Sequence, residues 1–388
     1  MKQLLLVLLW LVLCSGQPAL ADSAAIRTGA EQPERYLPLL AGKKVGLLVN
    51  QTSRVGEQHL VDFLLQQQVQ VVGIFAPEHG FRGDYDAGAR VGDSRDPRTG
   101  LPIWSMYGAS KKPDLSLLQQ LDLVIFDIQD VGVRYYTYIS SMHYMMEAAA
   151  AAGVAMLILD RPNPNGAYLD GPVLDLKFQS FVGMHPIPLL HGMTVGELAL
   201  MIKGEQWIAN AEKLQLTVIP NANYQRDLPY ELPIPPSPNL PNAQAVRLYP
   251  SLGFFEATPL SVGRGTPFPF QVLGYDQFAS DEFSFVPVST PGAALNPPLK
   301  DKKVYGEDLR QVSTDGLTLS YLMRWQQLFA SHAKVMFTAP DFMDKLAGTD
   351  QLRLQIERGD SEPQIRDSWQ SALQQFRLQR QPYLLYPE

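Results

Sequence analysis

Residues 122–130 read DLVIFDIQD, four consecutive apolar residues followed by a polar cluster, and this stretch decides the fold class. Such a continuous apolar run is typical of a strand whose two faces are both covered by helices. Four more stretches predict strands: KKVGLLVNQ (43–51), VQVVGIFAPE (69–78), VAMLILDRP (154–162) and LQLTVIP (214–220). Helical spacing separates the strands, at 58–67, 114–121, 138–153 and 194–208. The first half is therefore predicted to be an α/β domain with a Rossmann-like, mostly parallel sheet.

The second half has a different pattern. Residues 221–247 are rich in proline, which suits neither a central strand nor a helix interior, so they form either an ordered crossing segment or a plain linker. GEDLRQV (306–312), GLTLSYLMRWQQLFASHA (316–333) and the stretch from Ser361, which opens with a capping box to Gln364, are predicted as helices. We expect a Rossmann-like catalytic domain over 22–225, followed by a smaller α+β domain over 226–388 that completes a cleft.

The N-terminus has the features of an export signal. Lys2 precedes the apolar run LLLVLLWLVLC (4–14), and ALA (19–21) fits a small-residue cleavage site, so residues 1–21 are predicted to be a signal peptide. A retained membrane anchor and lipidation at Cys14 are the alternatives. Cleavage would remove Cys14, the only cysteine, which excludes thiol catalysis and cysteine metal sites. We expect a periplasmic or secreted protein with no stable membrane insertion after cleavage.

Charge and missing motifs exclude several classes of function. The net charge of −7 makes nucleic acid an improbable partner. The sequence has no phosphate-binding P-loop, no dinucleotide-binding glycine fingerprint and no nucleophile elbow, so no cofactor is expected. It has six histidines, none of which pair at the spacing of helical zinc ligands, so no metal site is predicted.

Acidic residues follow three of the predicted strands. Glu78, the pair Asp127 and Asp130, and Asp160 should meet at one edge, because ligands of open α/β sheets bind outside the carboxyl ends of the strands. In FAPEHGFRG (75–83), the turn formers Pro77 and Gly80 would let Glu78 and His79 face a cleft, with Arg82 beside them. A strand end closed by a Glu78–Arg82 ion pair is the alternative.

Four further stretches hold candidate site residues. In FDIQDVGVRYYTYISS (126–141), several polar side chains leave a buried strand together, which is costly unless they serve a site, and the tyrosines would suit a sugar ring. A helix cap with core tyrosines is the alternative reading. DRPNPNG (160–166) suggests either turn chemistry or contacts to a hydroxyl-rich ligand. HGMTVGEL (191–198) opens a helix with the capping box Thr194 and Glu197, leaving His191 as a candidate, and 253–270 adds Glu256 and Arg264.

Taken together and in this order, the blocks resemble the NamZ-type exo-β-N-acetylmuramidases. The resemblance rests on VNQTS, FAPEHGFRG, DLVIFDIQDVGVRYYTYI, LDRPNPNG, PIPLLHGMTVGELA, PSPNLP and SVGRGT, and it runs from about residue 40 to the C-terminal YLLY. It implies a glycoside hydrolase that releases N-acetylmuramic acid (MurNAc) from the non-reducing end of peptidoglycan fragments. Two positions depart from the family pattern: Asp170 replaces an expected Glu, and Val262 replaces an expected acid.

The resemblance assigns roles to the candidates. Glu78 of the PEHG motif is the predicted general acid. Glycoside hydrolysis usually needs a second carboxyl group, for which Glu256 and Asp127 are the first choices, then Asp130 and Asp160. An arginine should meet the lactyl carboxylate of MurNAc, and Arg134, Arg161 and Arg264 are the candidates. The remaining predicted substrate contacts are His79, Arg82, Gln129, Asp130, Tyr136, Asp160, Asn163 and His191.

Two other classes of function fit parts of the sequence. A metal-dependent hydrolase could use Glu78, His79 and the three strand-end aspartates, around Mg²⁺ or Mn²⁺. A periplasmic sugar-binding protein would need two similar lobes, but the second half lacks the repeated strand–helix alternation of the first. For the quaternary structure we expect a monomer or a weak dimer.

Overall fold

A computed structural model describes residues 25–77, 80–82, 94–106 and 111–387. It confirms the predicted fold class. The described part of the first half contains nine strands: β1 Lys44–Val49, β2 Arg54–Val55, β3 Gln58–His59, β4 Gln70–Ala76, β5 Ser94–Arg95, β6 Pro102–Ser105, β7 Leu123–Asp127, β8 Ala155–Leu159 and β9 Leu216–Ile219. Strands β2 and β3 form a small hairpin, and the other seven form one sheet.

The order of that sheet is β5-β6-β4-β1-β7-β8-β9. All neighbours pair in parallel except β5, which runs antiparallel to β6 at the edge. Counted along the chain, the parallel strands have the order 3-2-1-4-5-6, which is the arrangement of Rossmann folds. The order reverses between β1 and β7, so the carboxyl ends of these two strands flank the position where such folds bind ligands.

Helices cover both faces of the sheet because alternate strand residues point in opposite directions. Leu47 and Val49 of β1 pack in an apolar cluster with α1 and α2, whereas Leu48 between them packs in the cluster that contains α4 and α5. Gly153 ends α4 in the left-handed conformation (φ +69°), as its sequence predicts. The helices of this half are α1 Pro33–Leu40, α2 Leu60–Gln66, α3 Leu115–Leu118, α4 Tyr138–Ala152 and α5 Val195–Gly204.

The second half contains a small antiparallel sheet and five helices in its described residues. Its elements are α6 Ala243–Leu252, β10 Val272–Tyr275, β11 Ser284–Phe285, β12 Val304–Asp308, α7 Ser320–Ser331, α8 Pro340–Ala347, α9 Gln351–Arg358 and α10 Glu362–Arg380. The helix predicted over 306–312 is wrong, because β12 occupies its first residues and pairs with β10 and β11 on either side. Cross-strand pairing here overrides local helix preference. The capping box of Ser361 and Gln364 is present at the start of α10.

The two halves share one apolar core. Phe126 and Met142 of the first half belong to the same buried cluster as Phe254 and Trp325 of the second. The proline-rich stretch before α6 crosses between the halves in an ordered path, where Gln51 Nε2 donates to the carbonyls of Pro235 and Pro236 at 3.2 and 3.1 Å. Within the described residues, no helix is both long and apolar enough to cross a membrane. The predicted signal peptide lies outside the described residues.

Candidate active site

A cavity of about 450 Å³ lies between the loop after β7, the turn 180–183 and the second half of the chain. We call it the cleft. Its size is in the range of pockets that enclose a small ligand. It is lined by Lys111, Tyr135, Tyr136, Thr137, Tyr138, Ser180, Phe181, Val182, Ser237, Tyr249, Glu256, Arg264, Phe342 and Lys345.

Tyrosine rings form much of the cleft wall. The Tyr135 and Tyr249 rings meet edge to face with centroids 5.2 Å apart, and Tyr136 meets Tyr138 in the same way at 5.0 Å. The Tyr135 hydroxyl donates to the carbonyls of Tyr249 and Pro250, and the Tyr136 hydroxyl to that of Pro236, each at 2.8 Å. These bonds fix the rings, whose flat apolar surfaces suit the face of a sugar. Tyr136, a predicted substrate contact, is thus one of the residues that line the cleft.

Glu256 and Arg264 also line the cleft and contact each other. Arg264 Nε and Nη2 lie 2.8 and 2.7 Å from Glu256 Oε1, and both side chains remain partly exposed. Gly263 and Gly265 flank Arg264 with φ of +81° and +79°. A Cβ on Gly263 would lie 2.5 Å from a Val272 methyl group, so this loop needs glycine to approach the small sheet.

Asp127, the other first choice for the second carboxyl group, occupies a different environment. It is completely buried, and Arg161 contacts it at two points, with Nε 2.6 Å from Oδ1 and Nη2 3.0 Å from Oδ2. Burial lowers the pKa of Arg161, but the Asp127 carboxylate outweighs this effect and holds that pKa above its usual range. Asp127 thus belongs to a buried ion pair and does not line the cleft, so the cleft gives its predicted catalytic role no support.

The crevice between the carboxyl ends of β1 and β7, where the strand order reverses, is largely filled by side chains and loops of the protein itself. The Gln129 amide donates to Thr52 Oγ1 at 3.0 Å, and Gln129 Nε2 donates to the carbonyls of Asp130 and Pro162. A cavity of about 290 Å³ remains there, lined in part by Gln129, Arg161 and Tyr230. Gln129 and Arg161, both predicted substrate contacts, therefore face this smaller cavity and not the cleft.

Asp130 is a buried carboxyl group with one oxygen unused. Its Oδ2 accepts from the amide of Gly132 at 2.7 Å, whereas Oδ1 has no hydrogen-bond partner in the described part of the chain. Burial raises the pKa of Asp130 from 3.8 to about 7. A carboxyl group with such a pKa can give or take a proton near neutral pH.

Arg134 serves the interior of the protein. It is fully buried, and its guanidinium donates to the carbonyls of Pro172, Ile187 and Leu346 at 2.7, 2.8 and 3.0 Å. These bonds join the loop after β7 to the C-terminal end of α8. Both terminal nitrogens of Arg134, which is expected from the sequence to meet the substrate, thus donate to main-chain carbonyls, and Arg134 does not line the cleft.

Asp160, Asn163 and His191 also have internal partners. Asp160 accepts from Thr194 Oγ1 at 2.7 Å and from the Gly196 amide at 2.8 Å, so it caps α5. Asn163 Nδ2 donates to the Met193 carbonyl at 2.9 Å, and His191 Nδ1 accepts from the Met193 amide at 3.2 Å. Burial lowers the pKa of His191 to about 3, so it stays neutral. Asp160, Asn163 and His191 therefore do not belong to the cleft lining.

Glu78 and His79 lie outside the described residues, so their predicted roles stay predictions. Strand β4 ends at Ala76, and the Gly80 amide donates to the Pro77 carbonyl at 3.1 Å, with φ of +73° at Gly80. Arg82 pairs with Asp96 at 2.9 Å and with Asp62 at 3.4 Å. Arg82 thus has two acidic partners and lines a separate cavity near β2 and β3.

The two departures from the family pattern lie outside the cleft lining. Asp170 Oδ2 accepts from Arg366 Nη1 at 2.6 Å, which ties the first half to α10. Val262 is buried in the shared apolar core. Within the described residues, no group of three or more His, Asp or Glu side chains could hold a metal ion.

Sequence reasoning missed several residues of the cleft, most notably Lys111 and Lys345. Lys111 stands beside Lys112, Lys345 has no lysine neighbour, and the two cleft lysines are far apart in the chain. No local pattern indicates that two such residues meet, so no signal in the sequence could have identified them.

Comparisons with known proteins agree along the whole described chain. Residues 45–244 match the family model described as exo-beta-N-acetylmuramidase NamZ, N-terminal, and residues 247–386 match its C-terminal counterpart. The chain is 37% identical over 390 aligned residues to the peptidoglycan beta-N-acetylmuramidase NamZ of Bacillus subtilis strain 168, covering 94% of this chain and 92% of that protein.

Two solved structures have the same fold, both of DUF1343 family proteins from Bacteroides fragilis NCTC 9343. One matches with a TM-score of 0.85 and 44% identity, covering 94% of this chain and all of the other. The second matches with a TM-score of 0.81 and 29% identity, covering 93% and 99%. The family models together span the chain from β1 to its C-terminal residues. The chain therefore belongs to the NamZ family of exo-beta-N-acetylmuramidases.

Proposed function

We propose that this protein is an exported, exo-acting glycoside hydrolase that releases MurNAc from the non-reducing end of peptidoglycan fragments. Family membership supports the reaction class. The observation that carries the proposal is the cleft, where fixed tyrosine rings stand beside Glu256. Aromatic faces next to a partly exposed carboxylate are what hydrolysis of a glycosidic bond requires.

In the proposed mechanism, Glu78 is the general acid. It gives its proton to the glycosidic oxygen as the bond to the anomeric carbon breaks, so the leaving sugar departs as an alcohol. Glu78 follows Pro77 directly after β4, next to β1 in the centre of the sheet. Open α/β sheets place their reactive groups beyond the carboxyl ends of such strands, which supports this role for Glu78.

Glu256 is the proposed second carboxylate. It lies in the cleft, and Arg264 holds it in place through an ion pair at 2.7 Å. It would either attack the anomeric carbon or take a proton from the attacking water. A separation of roughly 5–5.5 Å from Glu78 would favour the first route and roughly 6.5–9.5 Å the second.

The metal-dependent alternative has no support from the described residues. Asp127 is paired with Arg161, Asp160 caps α5, and Asp130 accepts from the Gly132 amide, so the three carboxyl groups serve separate local structures. The sugar-binding alternative gains nothing from the comparisons either, since both family models are those of a hydrolase.

The test is Glu78→Gln assayed with two leaving groups. A general acid matters most when the leaving group is a poor one, so hydrolysis of MurNAc linked to N-acetylglucosamine (GlcNAc) should slow by about 10²–10⁴-fold. The 4-nitrophenyl glycoside of MurNAc, whose leaving group needs little protonation, should lose much less of its cleavage rate. Glu212→Gln, on an exposed turn, is the matched control.

Equal loss on both substrates would assign Glu78 a different role, such as nucleophile. Wild-type turnover of the disaccharide by Glu78→Gln would remove it from the mechanism altogether. Failure of the wild-type protein to cleave either substrate would overturn the proposed reaction itself.

A further inference from the structure

The described side chains that line the cleft carry an excess of positive charge. Four of them are charged: Lys111, Lys345, Arg264 and Glu256. Arg264 and Glu256 form an ion pair at 2.7 Å and offset each other. The two lysines remain, in a chain whose net charge is −7. The excess is therefore local, and a local excess of one sign in a pocket favours a ligand of the other sign.

Lys111 is held in position by an aromatic contact. Its Nζ lies 3.8 Å from the centre of the Phe181 ring, within the range of cation–π attraction. Phe181 sits in a turn closed by two backbone hydrogen bonds between Ser180 and Gly183, at 2.9 and 3.0 Å. Ser140 Oγ on α4 donates to the Phe181 carbonyl at 2.7 Å and anchors this turn. The neighbouring Lys112 pairs instead with Glu147 at 2.7 Å.

Lys345 lines the same cleft from the last turn of α8. Phe342, three residues earlier, lines the cleft as well, because residues three apart share a helix face. Arg134 fixes this end of α8 through its bond to the Leu346 carbonyl at 3.0 Å. Arg134 is therefore a positioning residue for Lys345.

We propose that Lys111 and Lys345 together bind the lactyl carboxylate of MurNAc and so distinguish it from GlcNAc, which lacks this group. The inference rests on the proposed function and names two residues that determine its specificity. Among the three arginines expected to do this, Arg134 and Arg161 face main-chain carbonyls or Asp127, and Arg264 is engaged by Glu256. Two ammonium groups in one cavity can each give a charge-assisted hydrogen bond to one carboxylate.

The experiment uses the Met variants Lys111→Met and Lys345→Met, singly and combined, with Lys112→Met as the matched control. Methionine keeps most of the length of the side chain and removes the charge. A charge-assisted hydrogen bond in a partly open site should contribute about tenfold to affinity. We expect KM for the 4-nitrophenyl glycoside of MurNAc to rise about tenfold in each single variant and about 100-fold in the double variant. The kcat should change little, and Lys→Arg variants should retain most of the affinity.

A binding measurement separates this inference from the proposed reaction. Calorimetric titration of the wild-type protein with free MurNAc and with GlcNAc should show tighter binding of MurNAc, and the double Met variant should lose that preference. This result supports the lysines even if no substrate is cleaved. Unchanged KM and unchanged preference in the folded double variant would overturn the inference while leaving the reaction standing. Absence of MurNAc binding to the wild-type protein would overturn both.

Discussion

At the scale of residues, Asp127 and Glu256 show how burial separates two carboxyl groups that the sequence makes equal candidates. Both stand in polar motifs and both have an arginine partner. The Asp127 side chain is fully buried beside the buried Arg161, whereas 27% of the surface of the Glu256 side chain is exposed to solvent in the cleft. A buried ion pair is costly to break, and a partly exposed one contributes little to stability. The first is thus a structural element and the second is available to a substrate.

This difference predicts opposite outcomes for the two amide variants. Asp127→Asn should lower the free energy of unfolding by about 3–5 kcal/mol, because it leaves the Arg161 charge buried without a counter-ion. Glu256→Gln should change stability by less than about 1 kcal/mol but should lower kcat on the MurNAc–GlcNAc disaccharide. Urea unfolding and steady-state kinetics on the same preparations measure both effects. A stable Asp127→Asn protein, or full activity of Glu256→Gln, would contradict the assignment.

At the scale of elements, the C-terminal tail stabilises the catalytic half from a distance in sequence. The Tyr386 hydroxyl donates to Asp160, the residue that caps α5, and accepts from the Asn221 amide at 2.7 Å just after β9. The last residues of the chain therefore fix the edge of the sheet beside β8. A helix cap that is completed by a residue so far away in the sequence cannot be predicted from a local pattern.

Tyr386→Phe should destabilise the protein by about 1–3 kcal/mol, since it removes one hydrogen bond to the buried Asp160 and leaves the buried Asn221 amide without its partner. The matched control is Tyr383→Phe, three residues earlier. Its hydroxyl donates at 2.8 Å to Glu205, which is only half-buried, so water can replace this bond and we expect a loss below about 1 kcal/mol. Equal losses for the two variants, measured by urea unfolding, would show that the tail does not act through this cap.

At the scale of the whole molecule, the sheet and the second half together determine where the cleft opens. The strand order creates the usual Rossmann crevice between β1 and β7. Contacts such as Gln129 to Thr52 and Gln51 to the proline-rich stretch then fill most of it. The cleft opens where residues 249–264 and α8 meet the loop after β7. A fold that commonly binds nucleotides is thus adapted to a different class of ligand.

Burial of Asp130 predicts how the stability of the whole chain depends on pH. Its pKa is about 7 in the folded protein and about 3.8 when exposed, so the folded form holds the proton longer. The contribution of Asp130 to stability is therefore complete below about pH 4 and is lost as the pH rises towards 7. Asp130→Asn, which cannot ionise, should be less sensitive to pH over this range. Thermal unfolding of both proteins at pH 5, 6, 7 and 8 measures the difference, and parallel curves would contradict the prediction.

The sequence by itself determined the fold class, because continuous apolar runs and helical spacing are local and periodic signals. It also identified the capping boxes of α5 and α10, which depend on residues three positions apart. The family resemblance added the reaction class and the candidate Glu78. The local sequence pattern gave a wrong helix prediction at residues 306–312, where pairing with distant strands decided the secondary structure.

Only the tertiary structure decided which polar residues face the cleft. Asp127, Asp160 and Arg134 stand in motifs as polar as that of Glu256. Their interaction partners come from other parts of the chain: Arg161, Tyr386 and the Leu346 carbonyl, respectively. Lys111 and Lys345 belong to the cleft for the same reason, since α8 and the turn 180–183 bring them to it. Burial and charge compensation are properties of contacts between distant residues, and a linear pattern does not encode them.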